Sequence, residues 1–196
     1  MSTYQTHGAE TVPQLRLTTG DGESGRQEAF RSPVLETAVG YCSEFAREEY
    51  GGRRRPAFLI AGEDKALRPL IVSDRMLYSV RLGDNFDPEV LMGWMGLYGN
   101  GHNGIAFSSD GSYYGRGRIT LPQPLSLEER RFLREEGMDE IVHQRALAAS
   151  AIEGIDFSIA VSPENSSVAV FREGNLLHYV DSRTDQDFHL AASGRR

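Results

Sequence analysis

The chain has 196 residues, 39% of them hydrophobic and 25% charged, which suits one globular domain with a single core and is short for two full domains. Lys and Arg number 21 against 28 Asp and Glu, and the formal charge of −7 argues against binding a nucleic-acid polymer or an anionic membrane by bulk charge. Cys42 is the one cysteine, so an internal disulfide and a thiolate metal cluster are both ruled out, and with no signal-like N-terminus and no run of about 18 apolar residues the expectation is a soluble, cytoplasmic protein.

The first 31 residues are polar and rich in Gly and Thr, which predicts a flexible arm with at most one short strand at Gln14 to Thr18. A single domain is expected over 32–185. Ser32 and Pro33 open a helix in which Val34, Leu35, Ala38, Tyr41, Cys42 and Phe45 recur at helical spacing, closed by Gly51 and Gly52. Arg53, Arg54 and Arg55 follow, either as a solvated loop or as a phosphate or partner contact. Ala57 to Ala61 and Leu70 to Ser73 are short apolar runs bounded by breakers and read as buried strands. Asp87 and Pro88 start a second apolar helix carrying Val90, Leu91, Trp94, Met95, Leu97 and Tyr98.

A glycine-rich turn, Gly99-Asn100-Gly101-His102-Asn103-Gly104, leads into a strand at Ile105 to Ser108, and Asp110-Gly111 joins it in a hairpin to Tyr113–Leu121. Ser126-x-x-Glu129 has the form of a capping box for a charged helix reaching Glu136. A further helix is expected from about Val142 to Ile152, then strands at Asp156 to Ser162, Ser167 to Arg172 and Leu176 to Asp181, the last two joined at Gly174-Asn175. Residues 186–196 read as a disordered tail. The fold class that follows is α/β (α+β): a mixed, largely antiparallel central sheet flanked by helices.

The glycine-rich turn satisfies G-x-G-x-x-G, but the dinucleotide-binding turn runs from strand to helix and this one runs from helix to strand. Glycine there supplies positive φ or lets backbone approach a ligand. His102 is either a structural histidine or part of a site at the mouth of the strand. His143-Gln144-Arg145 opens a helix of small residues, where a guanidinium and a helix N-terminus meet in a way that suits phosphate oxygens. Ser162 and Glu164 stand at the end of the next strand, and imidazole with carboxylate is a plausible pair for a hard divalent ion that bridges phosphates.

From Gly101 to Asp181 the sequence resembles the catalytic domain of diadenylate cyclases, the DAC family, which joins two ATP molecules into cyclic di-AMP. The family's His-Asp-Gly-Ala, Leu-Pro-Leu, Arg-His-Arg and Val-Ser-Glu-Glu motifs correspond to His102-Asn103-Gly104-Ile105, Leu121-Pro122, His143-Gln144-Arg145 and Val161-Ser162-Pro163-Glu164. The resemblance implies a DAC-like fold, nucleotide contacts at Gly101, Gly104, Ile105, Leu121, His143, Gln144, Arg145 and Ser162, and Mg²⁺ or Mn²⁺ held by His102 and Glu164. It also implies a homodimer that works face to face. The departures fall on chemistry. Asn103 stands where the family has its catalytic aspartate, Ile105 replaces a small residue, and His143-Gln144 replace Arg-His. An amide takes up no proton at neutral pH and is a poorer metal ligand than a carboxylate. The expectation is a sensor or regulatory module that binds ATP or a cyclic dinucleotide and turns over weakly or not at all. The alternatives are an active metal-dependent diadenylate cyclase, since phosphoryl transfer depends mostly on positioning and charge stabilisation, and a scaffold that has lost both ligand and reaction.

Overall fold

Ser32 and Pro33 open a helix as their pairing predicts: Pro33–Arg47 (α1) buries Leu35, Ala38, Cys42, Phe45 and Ala46 on one face. The structure, a computed structural model, describes residues 32–47, 55–72, 81–82, 88–98, 102–138, 140–164, 166–181 and 186–188. The N-terminal arm with its expected strand at 14–18, Arg53, Arg54, Gly99 to Gly101 and residues 189–196 lie outside these. Among the described residues no helix is long and apolar enough to cross a membrane.

The remaining elements are β1 (Ala57–Gly62), α2 (Asp64–Leu67), β2 (Ile71–Val72), α3 (Pro88–Tyr98), β3 (Asn103–Ser108), β4 (Tyr113–Ile119), α4 (Leu127–Glu135), α5 (Ile141–Ser150), β5 (Ile155–Ser162), β6 (Ser167–Arg172), β7 (Asn175–Asp181) and β8 (Gln186–Phe188). The strands form one sheet in the order β2-β4-β3-β1-β5-β6-β7-β8. Only β1 and β3 run parallel, with Leu59 opposite Ile105, and every other pairing is antiparallel. The sheet is therefore mixed and largely antiparallel, with helices on both faces, as its alternation of strands and helices predicts.

Alternation along the strands makes two cores. On one face Ala57, Leu59, Ala61, Ile105, Phe107, Phe157, Ile159 and Val161 pack under α1 and α3. On the other face Phe58, Ile60, Ala106, Ile119, Ala160 and Phe171 meet Val142, Ala146, Leu147 and Ala149 of α5 and Leu133 of α4. Serines fasten α5 to the sheet at points where apolar packing alone would leave polar atoms bare. The Ser158 hydroxyl donates to the Ala146 carbonyl at 2.5 Å, and the Ser150 hydroxyl accepts from the Gly174 amide at 3.2 Å.

Several boundaries differ from expectation. Asn103 and Gly104 belong to β3 itself, because their backbone pairs with Arg118 and Gly117 of β4. The strand expected to reach Leu121 ends at Ile119, although the Thr120 amide still donates to the Leu70 carbonyl at 2.7 Å. The α2 turn was not foreseen, being too short to show periodicity. The β6–β7 turn is centred on Glu173 and Gly174, with φ of 51° and 71°, one residue earlier than its Gly-Asn signal suggested. Pairing also continues past Asp181: Gln186–Phe188, the start of the supposed disordered tail, is β8 and pairs with β7. The capping box is as expected, the Ser126 hydroxyl accepting from the Glu129 amide at 3.2 Å and the Glu129 carboxylate from the Ser126 amide at 2.6 Å.

Candidate functional site

Strand direction decides which residues share an end of the sheet. β3 begins at Asn103, its parallel neighbour β1 begins at Ala57, and antiparallel β5 ends beside β1, with Val161 opposite Ala57 and Ser162 last. Asn103 is also opposite Arg118 of β4. His102, Asn103, Arg118, Ala57 and Ser162 therefore lie along one end. Two side-chain contacts bring the start of α5 to the same place. The Ser162 hydroxyl donates to the Glu140 carboxylate, immediately before the helix. Nη2 of Arg145 donates to the carbonyl of Ile119 and, at 3.2 Å, to that of His102.

The faces differ. Asn103 falls in the alternation of Ile105 and Phe107, toward α1 and α3, whereas Ser162 follows Ser158 and Ala160 toward α5. The two polar groups share a rim and approach it from opposite sides of the sheet.

Arg145 is half-buried, its guanidinium 5.8 Å from the centre of the Phe58 ring. Burial first, and then the positive charge of Arg118, pull its pKa below the ordinary arginine value; the group stays cationic. Its Nε is buried with no hydrogen-bond partner among the described residues. One guanidinium nitrogen, Nη2, is thus engaged by the protein's own backbone, and the half-buried side chain is not the arginine turned wholly outward to phosphate that was expected.

His143 is fully buried on the packed side of α5, so its ring is not offered to an external phosphate, and Gln144 beside it is half-buried. Ile105 is 1% exposed and belongs to the core under α3. Leu121 is half-buried and packs against the α5-side core. Gly104 is glycine for an internal reason: a Cβ there would stand 2.6 Å from Cδ1 of Ile119 and 2.7 Å from the Phe58 carbonyl. Its close backbone approach is to the chain itself. A shallow depression lined by Ala57, Phe58, Met95, Asn103, Gly104 and Ile105 has no room for a water molecule. A larger cavity of about 140 Å³ lies at the opposite end of the sheet, between Ser32, Leu35, Ser109, Asp156, Phe157 and Arg172.

His102 and Glu164 are both exposed, and among the described residues no group of three His, Cys, Asp or Glu side chains could hold a metal ion. The donors present do not amount to a metal centre.

Two features of this end escaped sequence reasoning. Glu140 lies three residues before His143, a helix-start position where an acid is ordinary and carries no signal of a partner on β5. Arg116 and Arg118 alternate with glycines on β4. The Arg116 guanidinium lies over the Trp94 ring at 4.8 Å, and Trp94 in turn packs on Tyr113 with ring centres 4.8 Å apart. Their period of two, toward the α3 face, was the signal available for them.

No family model matches the chain, and no curated protein matches it by sequence. Among solved structures it is similar to a cysteine double mutant of DacA from Staphylococcus aureus, at 15% identity over 73% of this chain and 83% of that one, with a TM-score of 0.48.

Proposed function

We propose that the Asn103 end of the sheet binds the phosphates of an adenine nucleotide or cyclic dinucleotide, and that the domain serves as a sensor or regulatory module. The observation that carries this reading is the convergence on one rim of His102, Asn103, Ser162 and Arg145, the residues through which the sequence resembles the diadenylate cyclases. Strand ends and the start of α5 come together there beside the exposed His102, a setting that suits phosphate oxygens; Ser162, fully buried and bonded to Glu140, and Arg145, bonded to backbone carbonyls, build the rim from inside. Any Mg²⁺ or Mn²⁺ enters on the phosphates of the ligand, since the described residues offer no cluster of three ligating side chains.

Binding is favoured over turnover by Asn103. Ionising a ribose hydroxyl calls for a proton acceptor, and a neutral amide does not supply one. Thermal melting with ATP and with cyclic di-AMP tests the reading, because a ligand that binds only the native state raises the melting temperature, by about 2.7 kcal/mol of stability at a hundredfold excess over Kd. A rise with either nucleotide is expected, and no rise with both overturns it. Incubation with ATP and Mn²⁺, followed by mass spectrometry, separates this module from an active cyclase; multiple turnovers to cyclic di-AMP would establish the enzyme instead.

A further inference from the structure

Three arginines meet where β3 and β4 pair, and two of them are committed to the protein. Arg116 lies over Trp94, and Arg145 donates to the backbone carbonyls of Ile119 and His102. Arg118 differs from both. It is exposed and, among the described residues, makes no hydrogen bond or ion pair, although Asp and Glu outnumber Lys and Arg by 28 to 21 in the sequence. It is also directly opposite Asn103, and the two carbonyls held by Arg145 belong to the neighbours of that pair, Ile119 and His102. The two cationic groups are near enough that Arg118 adds to the lowered pKa of Arg145, and among the described residues no carboxylate is ion-paired to either. Like charges held together without an acid paired to them are unfavourable until an anion joins them.

We propose that Arg118 is the ligand-facing cation of this rim, contacting phosphoryl oxygens directly, and that Arg145 is a positioning residue that holds the β3–β4 end on which Arg118 stands. This rests on the phosphate-binding reading of the same rim. It goes beyond that reading by moving the contact from a helix residue within the motif to a strand residue outside it.

The test is calorimetric titration of the full chain and of Arg118→Ala, Arg118→Lys and Arg145→Ala with ATP and with inorganic tripolyphosphate at two salt concentrations, beside melting without ligand. Arg118→Ala should melt like the parent and bind both probes about tenfold or more weakly, with a shallower salt dependence, and Arg118→Lys should recover part of the loss. Arg145→Ala should melt lower without ligand and, below its melting temperature, keep the parent's salt dependence. If the parent binds either probe and Arg118→Ala binds it equally well, the assignment of Arg118 is overturned. If tripolyphosphate binds through Arg118 while ATP and cyclic di-AMP do not bind, the assignment stands and the nucleotide reading falls. If neither probe binds the parent, both fall.

Discussion

Ser162, the last residue of β5, donates its hydroxyl to the carboxylate of Glu140, the residue before α5, and so ties a strand end to a helix start. The same contact keeps a negative charge at the rim proposed to take phosphate. Glu140→Gln removes that charge and preserves a hydrogen-bonding group. It is expected to tighten ATP binding about two- to fivefold, in line with a Coulomb effect of up to about 1 kcal/mol in water. The melting temperature should fall slightly, because an acid before a helix contributes about 0.3–1 kcal/mol. Calorimetry measures the first and melting the second; unchanged affinity would place Glu140 outside the binding rim.

Arg145→Lys tests the clamp itself. A lysine ammonium lacks the planar fork that reaches the Ile119 and His102 carbonyls from one side chain. The expected loss is about 1–3 kcal/mol in urea unfolding, the range for a charged hydrogen bond removed from a partly buried site. A loss below about 0.5 kcal/mol would show that the two carbonyl contacts contribute little to stability.

Gly104→Ala should destabilise the fold by about 1–3 kcal/mol, since the new methyl would crowd the Phe58 carbonyl, a backbone atom that cannot step aside. If glycine were kept there only for close approach of a ligand, the variant would melt like the parent and lose binding alone. Melting curves distinguish the two outcomes.

How far the sequence disclosed this molecule depends on whether each residue's partner is local. Pro33, the Ser126–Glu129 box and the Asp110-Gly111 turn announce themselves within a few positions, and α1, α4 and the β3–β4 hairpin follow from them. The buried strands are legible from their apolar runs. What was not legible depends on contacts across the chain. Arg145 meets His102 at 43 positions' separation, and Ser162 meets Glu140 at 22. A motif reading treats Arg145 and His143 as ligand contacts because it cannot see that one is held by carbonyls and the other is buried. Likewise Gly104 looked like part of a loop, because the Phe58 and Ile119 atoms that demand glycine are supplied by other strands.

Cys42 is fully buried in α1, and desolvation raises its thiol pKa to about 12. The thiolate is the reactive form, so the native protein should be inert to a disulfide exchange reagent at neutral pH and should react in one step once unfolded in guanidinium. Labelling of the native chain as fast as that of the unfolded chain would contradict this burial.

The β3–β4 hairpin should carry a pH signature. The Asp110 carboxylate accepts from the Ser112 amide at 2.9 Å and from the Ser112 hydroxyl at 3.0 Å, and these bonds, the amide's foremost, hold its pKa below the ordinary 3.8. The stabilisation is fully present above that ordinary value and is lost as pH falls through the lower folded one. Because Asp110 is exposed, the effect is small. Asp110→Asn should melt lower than the parent at pH 6, with the gap narrowing below about pH 4; a gap constant with pH would assign the loss to packing.

The central position of β1 sets when the rim can exist. Its two neighbours come from far along the chain: Leu59 pairs with Ile105 and Ala57 with Val161. A nascent polypeptide that has not yet released β5 carries β1, whose six residues are all buried in the finished sheet, as an apolar strand with an open edge. On the proposed reading, the rim can therefore take a ligand only after synthesis has passed Ser162, when β1 has both of its neighbours.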